Sequence, residues 1–154
     1  MNPHRLKYHP LYWDIVETAA NQSVATRHQV GAAVVTPTGM ISIGWNGMPS
    51  GLDNNCESQY WLENEQRYKT NPEVIHAERN AIDKMTNQGI PTAGSILFTS
   101  ITPCFECSKA LHNLGLKMII YKDEHDDLSG LHLLKQTATP IYSAYQVALF
   151  ELQF

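Results

Sequence analysis

The sequence predicts a single α/β domain over residues 1–154, built on a mixed sheet of roughly five strands. Three observations carry that expectation. The chain has 154 residues, 43% of them hydrophobic, enough for one proper core and within the usual size of one domain. Helical and strand-like hydrophobic periods succeed one another in the order α-β-β-α-β-α-β. The last two of those strands are short, apolar and separated by a helix of suitable length, which predicts a right-handed parallel crossover in a covered sheet.

Residues 10–25 open the pattern with Leu11, Ile15, Val16, Ala19 and Ala20 at helical spacing. Val30-Gly31-Ala32-Ala33-Val34-Val35 and Met40-Ile41-Ser42-Ile43 flank Thr36-Pro37-Thr38-Gly39, a hairpin pattern. Residues 47–71 show little apolar periodicity, and so long a stretch inside one domain is expected to be functional or partly helical. Residues 77–88 read as a helix ending at Gly89, residues 96–99 as a strand, residues 104–114 as a helix closed by Gly115, and residues 118–121 as a strand. A helix over 128–135, a fifth strand near 140–145 and a last helix complete the expectation. No internal repeat, low-complexity tract or linker is evident.

Composition narrows the function. Apolar runs such as residues 31–37 and 95–101 fall well short of the roughly 18 to 20 residues that cross a bilayer. The segment Met1-Asn2-Pro3-His4-Arg5-Leu6-Lys7 lacks the apolar core of a secretory signal, so no membrane partner and a cytoplasmic setting are expected. The three cysteines, Cys56, Cys104 and Cys107, cannot build a disulfide framework, and in a reducing compartment paired cysteines more often bind metal. A net charge of -4 argues against a nucleic-acid polymer as partner, because affinity for that backbone comes largely from clustered Lys and Arg. The substrate is expected to be small.

The chemistry lies in two short pieces, His76-Ala77-Glu78 and Pro103-Cys104-Phe105-Glu106-Cys107. Cys104 and Cys107 across the first turn of a helix can turn two thiolates towards one Zn²⁺, and the helix N-terminus and the metal both favour the charged sulfurs. His76 makes a third ligand. Three protein ligands leave a fourth position for water, which separates a catalytic zinc from a structural one. Glu78, two residues past the histidine, suits a proton shuttle, since water must lose a proton and the leaving amine must gain one. The H-x-E with P-C-x-x-C pattern is a known signature of zinc-dependent base deaminases. Two blander readings compete: a closed structural zinc with Cys56 as fourth ligand, and buried thiols beside a capping histidine with no metal.

With these motifs in place, the sequence resembles the cytidine deaminase superfamily, and within it the deoxycytidylate deaminases of cellular and phage type. The resemblance covers about residues 12–121 and rests also on Gln29-Val30-Gly31-Ala32, on Gly44-Trp45-Asn46-Gly47-Met48-Pro49-Ser50-Gly51 and on His76-Ala77-Glu78-Arg79-Asn80-Ala81-Ile82. Similar proteins carry G-Y-N-G-x-P-x-G at the second of these, and this chain departs in having Trp45 for the tyrosine. The resemblance implies a three-layer α/β/α domain and hydrolysis of dCMP to dUMP and ammonia. It implies that Asn46 reaches the sugar, although Trp45-Asn46-Gly47 reads equally well as a tight turn. It implies that Ala77, Glu78 and the strand end at Ser100 and Thr102 hold the base edge, with Arg27 a candidate for the 5′-phosphate. It further implies a hexamer activated by dCTP and inhibited by dTTP. The effector and its Mg²⁺ would bind at Gly44, Trp45, Asn46, Gly47 and Asn55. Some relatives carry a second, structural zinc in the long insertion, and with Cys56 alone there none is expected here. The competing functions are a tRNA adenosine deaminase, a free cytidine deaminase and, outside enzymes, a zinc- or nucleotide-binding sensor, against which Glu78 argues.

Overall fold

The computed structural model describes residues 1–150. A short 3-10 turn at Leu6–Tyr8 leads into α1 (His9–Ala20), followed by β1 (Gly31–Val35) and β2 (Ile41–Trp45), then β3 (Glu57–Leu62) and β4 (Glu65–Thr70). After α2 (Ala77–Asn87), β5 (Ile96–Ile101), α3 (Phe105–Leu111) and β6 (Met118–Asp123) alternate. The described residues close with α4 (Ser129–Gln136), β7 (Ile141–Ser143) and α5 (Ala144–Leu149).

Five strands form one sheet in the order β2-β1-β5-β6-β7. β1 pairs antiparallel with both β2 and β5, whereas β5, β6 and β7 run parallel. The sheet is therefore mixed, as expected. Period-2 alternation divides its side chains between two cores. Ala32, Val34, Leu97 and Ile119 face α2, α3 and α4 through Ala81, Met85, Leu111 and Leu134. Ala33, Val35, Ile96, Phe98 and Ile120 face the opposite layer through Tyr12 and Val16 of α1 and Val147 of α5. A three-layer α/β/α sandwich results.

The structure departs from expectation in two places. The stretch at 47–71 holds neither a long irregular loop nor a helix: β3 and β4 form a separate two-stranded hairpin, turned at Glu63 and Asn64 with φ of 50° and 65°. The first helix stops at Ala20 rather than near residue 25. There Ser23 turns inward, its hydroxyl donating to the Asn46 carbonyl at 2.8 Å, and the chain is drawn back towards β1. At the other end, β7 and α5 supply the fifth strand and last helix. α5 begins at a capping box between Ser143 and Gln146. The last four positions of the chain, 151–154, lie outside the described residues.

Two glycines set the layer spacing around the site. A Cβ on Gly44 in β2 would sit 2.2 Å from the Ala77 carbonyl oxygen and 2.6 Å from the Ala81 nitrogen, both α2 backbone. One on Gly130 in α4 would sit 2.2 Å from the Pro103 carbonyl oxygen and 2.6 Å from the Cys104 carbonyl carbon. Only glycine permits these approaches.

Candidate active site

Helices α2 and α3 start side by side, each from an extended residue. His76 precedes α2 and Cys104 precedes α3, with φ, ψ of -73°, 156° and -69°, 171°. These caps carry two of the three donors, and Cys107 lies one turn into α3. His76 Nδ1 is 3.3 Å from both Cys104 Sγ and Cys107 Sγ, and all three donor atoms lie within 4.8 Å of one another. Around a tetrahedral zinc, with Zn–N of about 2.0 Å and Zn–S of about 2.3 Å, such atoms stand roughly 3.5 Å apart. The donor set fits zinc in both chemistry and spacing.

The electrostatics of the triad agree. A hydrogen bond shared with Cys107, joined by one with His76, lowers the Cys104 thiol to about 4. The same shared bond and burial push Cys107 up. The His76 imidazole is raised, chiefly by its bond to Cys104. A metal takes the place of these protons. Cys56 is not part of this group. It lies 1% exposed in a small apolar cluster with Ala25 and Val74, where burial raises its thiol, so the closed site with a fourth cysteine is not formed.

Glu78, two residues past His76 in the first turn of α2, is 3% exposed. The Thr99 hydroxyl donates to its Oε1 at 3.0 Å. Burial raises its carboxyl above the ordinary value, against the opposing pull of that bond and of His76. A cavity of about 240 Å³ opens over it, and Arg27, Asn46, Ala77, Glu78 and Thr102 line the cavity with His76 and Cys104. Six residues singled out from sequence thus meet in one place with Glu78. Ser100 stands just outside, its Oγ accepting from the Gly31 amide at 3.1 Å and closing β5 onto β1. Asn46, 8% exposed, uses its side chain on the backbone: Oδ1 accepts from Val30 N at 2.9 Å and Nδ2 donates to the His28 carbonyl at 2.7 Å.

The loop residues divide. Trp45, Asn46 and Gly47 line a second cavity of about 250 Å³ with Gln22, Asn54, Asn80 and Lys84. The Lys84 ammonium lies 5.2 Å from the Trp45 ring centroid. Gly44 is instead buried against α2, and Asn55 borders a separate cleft with Thr26 and Glu57. Asn46 borders both main cavities.

Several contributors escaped the sequence reading. Thr99 follows from no motif. Glu57, 8% exposed, accepts from the amides of Thr26 at 2.8 Å and Arg27 at 3.2 Å through Oε1, pinning the rim to the hairpin. His28 and His125 meet at the cavity mouth from distant parts of the chain.

The model of the cytidine and deoxycytidylate deaminase zinc-binding region matches residues 7–123. Deoxycytidylate deaminase of Mus musculus is 32% identical over 125 residues, covering 79% of this chain and 68% of that protein. ComE operon protein 2 of Bacillus subtilis is 30% identical over 106 residues, and the chain spans about half of its length, 54%. Among solved structures, dCMP deaminase from cyanophage S-TIM5 in complex with dCMP and dUMP is 35% identical with a TM-score of 0.78, covering 90% of this chain and 98% of that one. A tRNA:A34 deaminase shares the fold alone, at 16% identity and a TM-score of 0.60. By its matched region, its fold and its His-Cys-Cys donor set, this chain belongs to the cytidine and deoxycytidylate deaminase family.

Proposed function

We propose that this chain catalyses the hydrolytic deamination of dCMP to dUMP and ammonia. The observation that carries the reading is the buried Glu78 carboxyl standing over three converging zinc donors in a cavity large enough for a small ligand. When bound there, zinc supplies the Lewis acidity that makes a water nucleophilic near neutral pH. Glu78 accepts the proton that this water gives up and delivers it to the departing amine, and a carboxyl raised by burial is suited to both duties. Thr99 holds one carboxylate oxygen, so the other is the one that moves protons. The backbone at Ala77 and Glu78 and the strand end at Ser100 and Thr102 hold the base edge, Asn46 orders the rim beside the sugar, and Arg27 stands towards the 5′-phosphate. The cyanophage dCMP deaminase, solved with dCMP and dUMP, supports this substrate.

The finer reading is regulation in a homohexamer, with dCTP activating and dTTP inhibiting through Mg²⁺ complexes. Trp45, Asn46 and Gly47 border a cavity distinct from the catalytic one, with Lys84 as its cation, while Gly44 packs against α2 and Asn55 borders a separate cleft. The thiolates suit a reducing, cytoplasmic setting, and no helix among the described residues is long and apolar enough to cross a membrane. Ammonia release from dCMP, cytidine, dCTP and adenosine tests the substrate. Turnover fastest with dCMP is expected, and preference for adenosine overturns the reading. Titrating dTTP against dCMP separates a sigmoidal, dCTP-reversible response from simple competition.

A further inference from the structure

We propose that the β3 edge of the two-stranded hairpin is a docking site for a second copy of this chain, whose own β3 pairs with it antiparallel across a two-fold axis at Tyr60. The inference rests on the assembly reading above, to which it gives an interface, and it is independent of the substrate.

The hairpin stands apart from the five-stranded sheet. From Gln59 to Leu62 and from Glu65 to Lys69 every residue is exposed, Trp61 at 70%. Two strands with both faces in water are marginally stable by themselves. The backbone shows which groups are open. The Asn71 amide donates to the Cys56 carbonyl at 2.8 Å, and in the register that pairs Glu57 with Thr70 this makes Ser58, Tyr60 and Leu62 the β3 residues bonded to β4. Gln59 and Trp61 therefore turn their N–H and C=O groups outward, along the free edge. Glu57 points the same way, but its amide already donates to Asn55 Oδ1 at 3.4 Å.

Among the described residues the other strand edges are closed, short or charged. On β2 the Ile43 carbonyl accepts from Lys84 Nζ at 2.6 Å and the Trp45 carbonyl from Asn80 Nδ2 at 2.7 Å. β7 has three residues and runs directly into α5. β4 carries Glu65, Arg67 and Lys69, charges of the kind that guard an edge. Its outward residues, Gln66 and Tyr68, could pair with a second β4 only by setting one Arg67 against another, and like charges directly opposed repel. β3 holds no charge from Gln59 to Leu62, so a two-fold there opposes none. One register uses its open groups alone: with Tyr60 on the axis, Gln59 of each copy faces Trp61 of the other, and four backbone bonds form. A shift either way would recruit Glu57, already bonded, or Glu63, which turns the chain at φ of 50°. The two Tyr60 side chains then meet in a close pair without backbone bonds, a favourable aromatic contact. Such an isologous interface closes on itself.

The test uses the zinc-loaded full chain. Light scattering and sedimentation velocity over a range of concentrations follow wild type, Y60K, Y60E and an equimolar mixture of the two variants, with circular dichroism to check that each folds. Residue 60 meets itself across the axis, so each variant alone opposes like charges and should raise the dissociation constant about tenfold or more. The mixture opposes unlike charges and should recover the wild-type mass. Where a charged variant fails to fold, Tyr60→Cys serves: Cα atoms opposed in such a pair lie about 4.5 Å apart, within disulfide reach, so mild oxidation should give a covalent dimer that Gln66→Cys, on the opposite edge, does not. Charged variants that keep the wild-type mass, a mixture that stays as dissociated as its components, a Tyr60→Cys chain that cross-links no faster than Gln66→Cys, or a monomeric wild type each overturns the pairing. An assembled wild type that releases no ammonia from dCMP overturns the substrate reading alone, and the mixing result still judges the hairpin.

Discussion

Changing Gly44 to alanine separates a packing role from a nucleotide-binding one, and the structure sets the size of the effect. The new methyl would lie 2.2 Å from the Ala77 carbonyl oxygen and 2.6 Å from the Ala81 nitrogen. Comfortable carbon–oxygen contacts begin at about 3.3 Å, so α2 must retreat from β2 by roughly 1 Å. Neither opposing atom belongs to a side chain that could rotate away. Overpacking of this kind costs about 1–3 kcal/mol, and a backbone clash belongs at the upper end. At about 2–4 °C per kcal/mol for a chain of this size, 3 kcal/mol lowers Tm by roughly 6–12 °C. The displaced backbone adjoins Glu78, and misplacement by about 1 Å can cost on the order of 100-fold in rate. Gly47→Ala is the control. A Cβ there meets nothing within 4 Å, and such a change should stay within about 0.5 kcal/mol. Thermal unfolding and dCMP turnover of both variants decide the matter. A Gly44→Ala protein with wild-type Tm and basal rate, altered only in its response to dCTP and dTTP, would refute the packing argument.

The other expectations concern the site and the fold. Glu78→Gln should keep zinc and Tm while kcat falls by about 10²- to 10⁴-fold or more, since acid and base functions vanish together; a variant retaining over about a tenth of the rate assigns the proton transfer elsewhere. Elemental analysis should find about one zinc per chain, lost in Cys104→Ser or Cys107→Ser and kept in Cys56→Ser; loss of zinc from the last variant contradicts the three-donor centre. Burial lowers the His9 imidazole, whose ring stands edge-on to Phe98 at 5.0 Å. A folded value below the unfolded value of about 6.5 means its stabilising effect is complete above that pH and lost as pH falls towards the folded value. Tm of the wild type should therefore drop more steeply than that of His9→Gln between about pH 7 and 5, and parallel profiles would count against this assignment. Light scattering should report a species larger than the 17.3 kDa chain, and a monomer at micromolar concentration removes the assembly from the proposal.

Much of this molecule was legible before its structure. The crossover β5-α3-β6 was readable because each strand opens with a short, largely buried apolar run, Ile96-Leu97-Phe98 and Met118-Ile119-Ile120, and the zinc donors because metal coordination restricts residue type and spacing together. The β3-β4 hairpin was not. Its strands carry Tyr60, Trp61, Leu62 and Tyr68 largely exposed among polar residues, so no alternation marks a buried face. Its turn uses Glu63 and Asn64 at positive φ rather than the Asn-Gly or Asp-Gly pairs that announce a hairpin. His28 and His125 were equally silent. Each is an isolated histidine in a loop, and what joins them is strand order, which sets the residues before β1 beside those after β6.

The contact at Gly130 gives α4 a task that its sequence does not advertise. That helix holds no zinc donor, yet it rests directly on the peptide linking Pro103 to Cys104, and the Cys104 carbonyl accepts the bond from Ser108 N, at 2.9 Å, near the start of α3. The helix behind the metal site acts as a stop that fixes how far the thiolate end of α3 can recede from His76. Metal affinity in this fold can therefore be graded from behind, through the bulk of a residue that never meets the metal.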